Sequence, residues 1–341
     1  TKRLINSCAS PRADAWLTIR SARAHNLKGI DVALQIGHFA CLTGVSGSGK
    51  SSLLVDVLYG NALRLRGQPS DSVGACDRID GLEAFSDVIL VDQSPLGRSS
   101  RSNPATYLKA MDELRQRFAK SKDAEHLGLA AGAFSFNVPA DKGGGRCEAC
   151  GGHGTQTLEM HFLADVTVVC DACDGRRFSE KTLGVKWNGM SILDCLELTV
   201  DQALERFAGD KKLTSRLAPF AEVGLGYLKL GQPTATLSGG EVQRIKLAAH
   251  LSPGAGPTLF LLDEPTTGLH GSDVEVLLAA LGKLLEAGHT VVAIEHNLDF
   301  IRRADWLVDL GPEGGVGGGA LVCAGSVDDL AACRASHTGR A

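Results

Sequence analysis

Short apolar runs stand out near the two ends of the chain, at residues 38–44 (HFACLTG), 87–91 (DVILV), 258–262 (TLFLL), 290–294 (TVVAI) and 306–310 (WLVDL). Their length and the turn residues that bound them predict buried strands. Helical spacing takes over at 50–59, 239–251 and 273–286. Strands alternating with helices predict an α/β fold with a mostly parallel sheet covered on both faces. The rhythm lapses across 93–237 and then resumes. The simplest organisation is therefore one head, residues 1–92 and 238–341, split by an insertion at 93–237. Within that insertion, 155–169 alternates as a β-hairpin does. The stretch 311–319 (GPEGGVGGG) predicts a tight surface loop ahead of a short β-like segment at 320–324. No internal repeat is visible.

Composition narrows the class. A chain of 341 residues with 44% apolar content can bury a sizeable core and suits about two domains. The net charge of -4 carries no global nucleic-acid signature, so any such partner must be met by local basic patches. No apolar run is long enough to span a membrane, and the opening TKRLINSCAS lacks the apolar core of a signal peptide, which together predict a cytoplasmic protein with no membrane partner. The chain opens on Thr1 rather than Met, which points to a trimmed or partial sequence.

Residues 44–51 read GVSGSGKS, the G-x-x-x-x-G-K-[ST] phosphate loop, set between a predicted strand and a predicted helix. Glycines let successive N–H groups curl around phosphate oxygens, and the helix N-terminus adds positive potential. Gly44, Ser46, Gly47, Gly49, Lys50, Ser51 and Ser52 are the candidate ATP-binding residues. Lys50 would reach the β/γ-phosphates, and Ser51 would offer its hydroxyl to Mg²⁺. Residues 259–265 (LFLLDEP) predict a buried strand ending in two carboxylates. Asp263 suits the Mg²⁺ shell, and Glu264 suits orientation of the attacking water. A further strand ends in Glu295 and His296, where α/β sheets bind ligands, so His296 is a candidate γ-phosphate sensor.

The ten cysteines divide by spacing. Cys147, Cys150, Cys170 and Cys173 form two C-x-x-C pairs separated by residues 151–169, close to the C-x2-C-x15–20-C-x2-C zinc pattern. Four thiolates suit tetrahedral Zn²⁺ with no open position, hence a structural metal. This predicts a zinc module over 145–178. The scattered cysteines read as structural.

Residues 237–244 read LSGGEVQR. Ser238, Gly239 and Gly240 precede a helix, which makes a second anion site. The octet resembles the signature of ATP-binding cassette proteins, in which two heads sandwich ATP and each completes the other's phosphate loop. That resemblance implies a P-loop ATP-binding cassette head with a long inserted helical and zinc-binding region. It assigns Gln93 to the Q-loop as a further Mg²⁺ contact, Asp263 and Glu264 to the Walker B motif, and His296 to the switch position. A narrower resemblance is to the C-terminal half of the UvrA family. It rests on VDQSPLGR (91–98), RSNPATY (101–107), FSFN (134–137), GRCEAC (145–150) and EMHFLADV (159–166). It continues through CDACDGRR (170–177), DEPTTGLH (263–270), IEHNLD (294–299) and ADWLVDLGPEGG (304–315). UvrA carries two heads, and one is present here; PADK (139–142) stands as an extra stretch.

The resemblance implies a DNA-damage-recognition ATPase of nucleotide excision repair, using ATP, Mg²⁺ and Zn²⁺. It implies duplex DNA bound without sequence specificity, a homodimer or pairing with an N-terminal half, and other excision-repair subunits as partners. Arg98 and Arg101, at the start of a basic stretch reaching Lys122, and Arg176 and Arg177 of the zinc module are the candidate phosphate contacts. Two other functions fit the head alone: energising a transporter, which predicts a membrane partner and no zinc, or a DNA-binding self-resistance protein with little ATP turnover.

Overall fold

A computed structural model describes residues 15–96, 101–158, 160, 166–251 and 256–341. The chain divides into two compact units, Thr1–Gln93 with His250–Ala341, and Ser94–Ala249. The sequence pattern placed the return to the head at Ser238. Contacts place it at His250, because helix Gly239–Ala248 packs on helix Lys211–Glu222 of the second unit.

In the first unit, strands β1 (Trp16–Ala22), β2 (Ile30–Gln35) and β4 (Arg78–Asp80) form an antiparallel sheet in the order β2-β1-β4. The main sheet contains β3 (Phe39–Gly44), β5 (Asp87–Val91), β8 (Thr258–Asp263), β9 (Thr290–Ile294), β10 (Trp306–Gly311) and β11 (Ala320–Gly325). Their order is β11-β10-β3-β9-β8-β5, parallel except for β11, which returns antiparallel along β10. Every residue of β3 and β9 is buried, as expected of parallel strands covered on both faces. Leu17, Ile19, Val32 and Leu34 of the antiparallel sheet share one core with Leu42, Leu54, Leu58, Leu261, Val292 and Val308. Each such side chain contributes roughly 1.5–3 kcal/mol by leaving water.

The register brings strand ends into one line. Leu310 pairs with Gly44, Leu42 with Ile294, Ile294 with Asp263, and Leu262 with Val91. The loops that carry the phosphate-binding, acidic and histidine motifs thus leave the same edge of the sheet. The helix after the phosphate loop is wound with i→i+5 bonds over Ser52–Tyr59 and continues as an α-helix through Gly60–Leu65.

The second unit is mainly helical around an aromatic core. Phe118 lies 5.2 Å from Phe134, and Trp187 stacks on Phe207 at 5.2 Å. Strands β6 (Thr155–Leu158) and β7 (Val166–Val169) form the expected hairpin, with every described side chain in them exposed. The basic stretch is also less open than its charge suggests. Arg117 is bound by Asp210 at 2.7 and 2.9 Å and by Glu113 at 2.5 Å, and Arg115 pairs with Asp112. Among the described residues, no helix is long and apolar enough to cross a membrane.

Candidate nucleotide and metal sites

The phosphate loop joins β3 to the helix that follows it. Gly44, Gly47 and Gly49 take φ of 125°, 74° and 104°, a region that strains side-chain-bearing residues. At Gly44 a Cβ would stand 2.0 Å from the Leu310 carbonyl oxygen, so neighbouring β10 also requires glycine there. Among the described residues, the N–H groups of Ser46, Gly47 and Gly49 donate to no protein acceptor, while Ser48 N–H closes a turn onto Val45 O at 3.2 Å. Unused donors in a glycine-rich turn are what phosphate oxygens require. Lys50 is buried, and its Nζ donates to the carbonyls of Gly44 and Val45, both at 2.9 Å. Burial lowers its pKa, against the nearby charges of Glu264, Asp309 and Asp263. Ser51 and Ser52 begin the helix, Ser51 exposed and Ser52 half-buried.

Asp263 ends β8, and burial raises its carboxyl, helped by the charges of Glu264 and Asp92 and opposed by Lys50. Carboxylates crowded this way suit a divalent cation of oxygen preference. Ser51, Gln93 and Asp263 would hold Mg²⁺, which when bound supplies neutralising charge. Gln93 is exposed two residues beyond the end of β5.

Glu264 adopts a left-handed backbone at φ 48°. Its N–H donates to Ile294 O at 3.0 Å and its carbonyl accepts from Thr267 N at 3.2 Å, which holds a conformation costing about 1–3 kcal/mol. The twist turns its carboxylate towards His296, whose Nε2 lies 3.6 Å from Glu264 Oε1. Glu295, the neighbour of that histidine, is buried and accepts from the backbone N–H groups of Thr266 at 2.7 Å, His296 at 2.9 Å and Asn297 at 3.2 Å. This carboxylate ties the loop after β8 to the loop after β9. Sequence reasoning passed over it because an acid beside a histidine reads as surface charge.

The signature belongs to the second unit. Ser238 Oγ accepts from Glu241 N at 3.3 Å, and Glu241 Oε2 accepts from Ser238 N at 2.7 Å, a reciprocal cap that opens helix Gly239–Ala248. Tyr227, itself exposed, donates to Glu241 Oε1 at 2.6 Å. Gly239 and Gly240 occupy the first turn, both half-buried.

The four cysteines converge. The sulfurs of Cys147, Cys150, Cys170 and Cys173 all lie within 4.8 Å of one another, and all four residues are buried. Cys150 and Cys173 are 3.7 Å apart, against about 3.8 Å for two sulfurs each 2.3 Å from a tetrahedral zinc. Burial is the largest influence on the Cys150 thiol and raises it. The backbone N–H groups of Gly154 and Gly152 and the facing thiols outweigh that and bring it to about 7. Burial is also the main reason that Cys173 is pushed up to about 12. Glycines make the knuckles: Gly152, at φ 83°, would place a Cβ 2.2 Å from Phe136 O. The chemistry and spacing of these donors fit Zn²⁺.

The candidate DNA contacts fare unevenly. Arg98 lies outside the described residues. Arg101 donates from Nε to His153 Nε2 at 3.2 Å. Arg176 donates to Cys173 O at 3.0 Å and pairs with Glu180 at 2.5 Å. Arg177 is half-buried, with its guanidinium 4.4 Å over the Phe136 ring and its Nε donating to Gly152 O at 3.1 Å. The guanidinium of Arg177, also a candidate phosphate contact, thus packs into the knuckle, where its charge would offset the net negative charge of four thiolates on one Zn²⁺.

No family model matches this sequence. UvrABC system protein A of Methanothermobacter thermautotrophicus is 50% identical over 326 residues, 95% of this chain and 33% of that protein. The same protein of Thermus thermophilus is 50% identical over 317 residues, 93% of this chain and 33% of that protein. The crystal structure of UvrA2 from Deinococcus radiodurans superposes with a TM-score of 0.88 at 43% identity, covering 96% of this chain and 39% of that one. The chain spans about a third of the length of the curated relatives it matches. With that extent of identity, and with the superposition running through both units, the chain belongs to the UvrA family.

Proposed function

We propose that this chain is an ATP-hydrolysing half of a UvrA-type DNA-damage-recognition protein, acting in nucleotide excision repair. The carrying observation is the convergence on one sheet edge of the phosphate loop, Asp263, and Glu264 facing His296 at 3.6 Å. In this reading the loop N–H groups and Lys50 bind the β- and γ-phosphates of ATP, and Ser51, Gln93 and Asp263 bind Mg²⁺. Glu264 orients the attacking water, and His296 senses the γ-phosphate. Ser238, Gly239 and Gly240 serve a second head, so activity requires a homodimer or pairing with an N-terminal half. The head then comprises 1–92 and 238–341 in function, even though residues 238–249 pack with the inserted unit.

Zn²⁺ held by Cys147, Cys150, Cys170 and Cys173 closes the knuckle of the inserted unit as a structural ion. That module argues against a transporter-energising head. Duplex DNA is bound through phosphates, without sequence specificity and in preference for distorted duplex, as reading deformability requires. The test is ATP hydrolysis by the purified chain, alone and with undamaged or lesion-bearing duplex. Hydrolysis that disappears in Lys50→Ala supports the reading, and a wild-type chain that neither binds nor hydrolyses ATP overturns it.

A further inference from the structure

Two segments that carry no reacting group enclose the phosphate loop from outside. Asn26, in the turn between β1 and β2, donates from Nδ2 to Gly47 O and to Gly315 O, both at 2.9 Å. Gly315 N–H reaches the same Gly47 O at 2.9 Å, and Gly319 N–H reaches Ser48 O at 3.0 Å. Gly319 O in turn accepts from Lys28 N at 2.9 Å, which closes the ring back onto the turn that holds Asn26. The contact is tight. A Cβ on Gly314 would lie 2.5 Å from Ser46 O, and one on Gly319 would lie 1.8 Å from Asn26 O. On Gly49 it would meet Leu27 at 2.8 Å and Asn26 Oδ1 at 3.1 Å.

A planar peptide points its N–H and its C=O in opposite directions, so a loop that turns N–H groups inward must turn carbonyls outward. Those carbonyls then need donors of their own. The Ser48–Gly49 peptide is pinned by Gly319, which leaves Gly49 N–H facing away from the clamp. The carbonyl of the Gly47–Ser48 peptide is pinned twice, by Asn26 and by Gly315, while its N–H closes the turn onto Val45 O. Gly47, at φ 74°, has no side chain to prevent that peptide from rotating, so its orientation depends on these outside bonds together with the 3.2 Å turn bond from Ser48 N–H to Val45 O.

We propose that Asn26 is a positioning residue for the phosphate loop, fixing the Gly47–Ser48 peptide and the 314–319 loop against each other so that the loop meets a nucleotide's phosphates already in shape. The inference rests on the nucleotide-site reading above. A preshaped cradle loses no ordering entropy on binding, which places the benefit in affinity rather than in the chemical step.

The test is Asn26→Ala in the full chain, with Asn26→Ser as a milder variant that keeps one donor. Binding is read with a fluorescent ADP, turnover with ATP, and folding by thermal unfolding. Loss of two neutral hydrogen bonds predicts roughly tenfold weaker ADP binding and a KM raised similarly, with kcat within about threefold. Asn26→Ser should fall between Ala and wild type, and it decides the matter if the Ala variant does not fold. Wild-type ADP affinity in the folded variants, or a fall in kcat with affinity retained, overturns the proposal. Lys50→Ala separates the two ideas. If it abolishes hydrolysis while both Asn26 variants behave as wild type, the clamp fails and the nucleotide site stands. If wild type itself binds no ADP, the site reading fails.

Discussion

Glu264 Oε1 faces His296 Nε2 across 3.6 Å, each residue standing just beyond the end of one of two neighbouring parallel strands. The pairing depends on backbone as much as on side chains. Glu264 reaches it from a left-handed conformation, and the loop that carries His296 is tied by Glu295 to Thr266. Strained backbone at a carboxylate is kept where the surroundings hold it in place, and such positions cluster at functional sites.

Replacing Glu264 by Gln keeps its size and removes its charge. The expected outcome is nucleotide affinity within about twofold of wild type and kcat lower by roughly 100- to 1000-fold, the scale of a positioned base or water-orienting group. Steady-state hydrolysis alongside fluorescent-nucleotide binding checks both halves. Wild-type turnover in this variant would remove Glu264 from the mechanism.

Asp263 leads to a prediction about stability. Burial, then Glu264 and Asp92, raise its carboxyl pKa above the unfolded value. The folded state therefore holds this proton more tightly than the unfolded state. The linked contribution to stability falls as pH rises from the unfolded carboxylate value through the raised folded one, and the cost is fully present above that. Asp263→Asn removes the cost. In nucleotide- and metal-free protein at neutral pH, it should raise stability by on the order of 1 kcal/mol while abolishing hydrolysis. Denaturant unfolding at pH 7.5 reads the sign, and an Asn variant less stable than wild type counts against the crowded-carboxylate account.

Much of this site could be read in the sequence. The phosphate loop, the strand ending in Asp263 and Glu264, and the cysteine pairs each carry their chemistry in local spacing, and the structure brings the four thiols together. The supporting groups could not be read, because their roles come from pairing over long separations. Asn26 is 289 positions from Gly315, and Glu295 is 29 from Thr266. A glycine-rich run such as 311–319 looks like any surface loop until its partner is known. Charge runs misled for the same reason: Arg117 is matched by Asp210, which is 93 positions away. The antiparallel sheet β2-β1-β4 was also missed, since the strand pattern was followed only from residue 38 onward.

The zinc module predicts one Zn²⁺ per chain. Cys170→Ser should release the ion and lower the stability of the inserted unit, because three remaining thiolates leave a buried site short of a ligand. ADP binding, which we assign to residues 44–52 of the other unit, should persist. Elemental analysis and fluorescent-ADP titration on the same preparation test the two statements together. Protein purified without chelator that contains no zinc would count against the tetrathiolate assignment.

The arginines separate structural charge from phosphate contact. Arg177 lies over Phe136 and donates to Gly152, so Arg177→Ala should destabilise the zinc knuckle by about 1–2 kcal/mol, from one lost cation–π contact and one lost hydrogen bond. Any loss of DNA binding in that variant should follow its loss of zinc. Arg101 and Arg176 engage His153 and Glu180 through bonds that a phosphate could replace. Each phosphate contact releases about one counterion, so Arg101→Ala and Arg176→Ala should each reduce the slope of log affinity against log salt by about one unit. The weakening should be equal for different duplex sequences, since phosphate contacts carry no base information. Measuring affinity for intact and lesion-bearing duplex at several salt concentrations, with zinc content checked in each variant, decides among these roles. If the Arg101 and Arg176 variants keep the wild-type slope while Arg177→Ala loses it with zinc retained, the assignments are reversed. In that case the knuckle arginine, rather than the two held by His153 and Glu180, is the one that meets DNA.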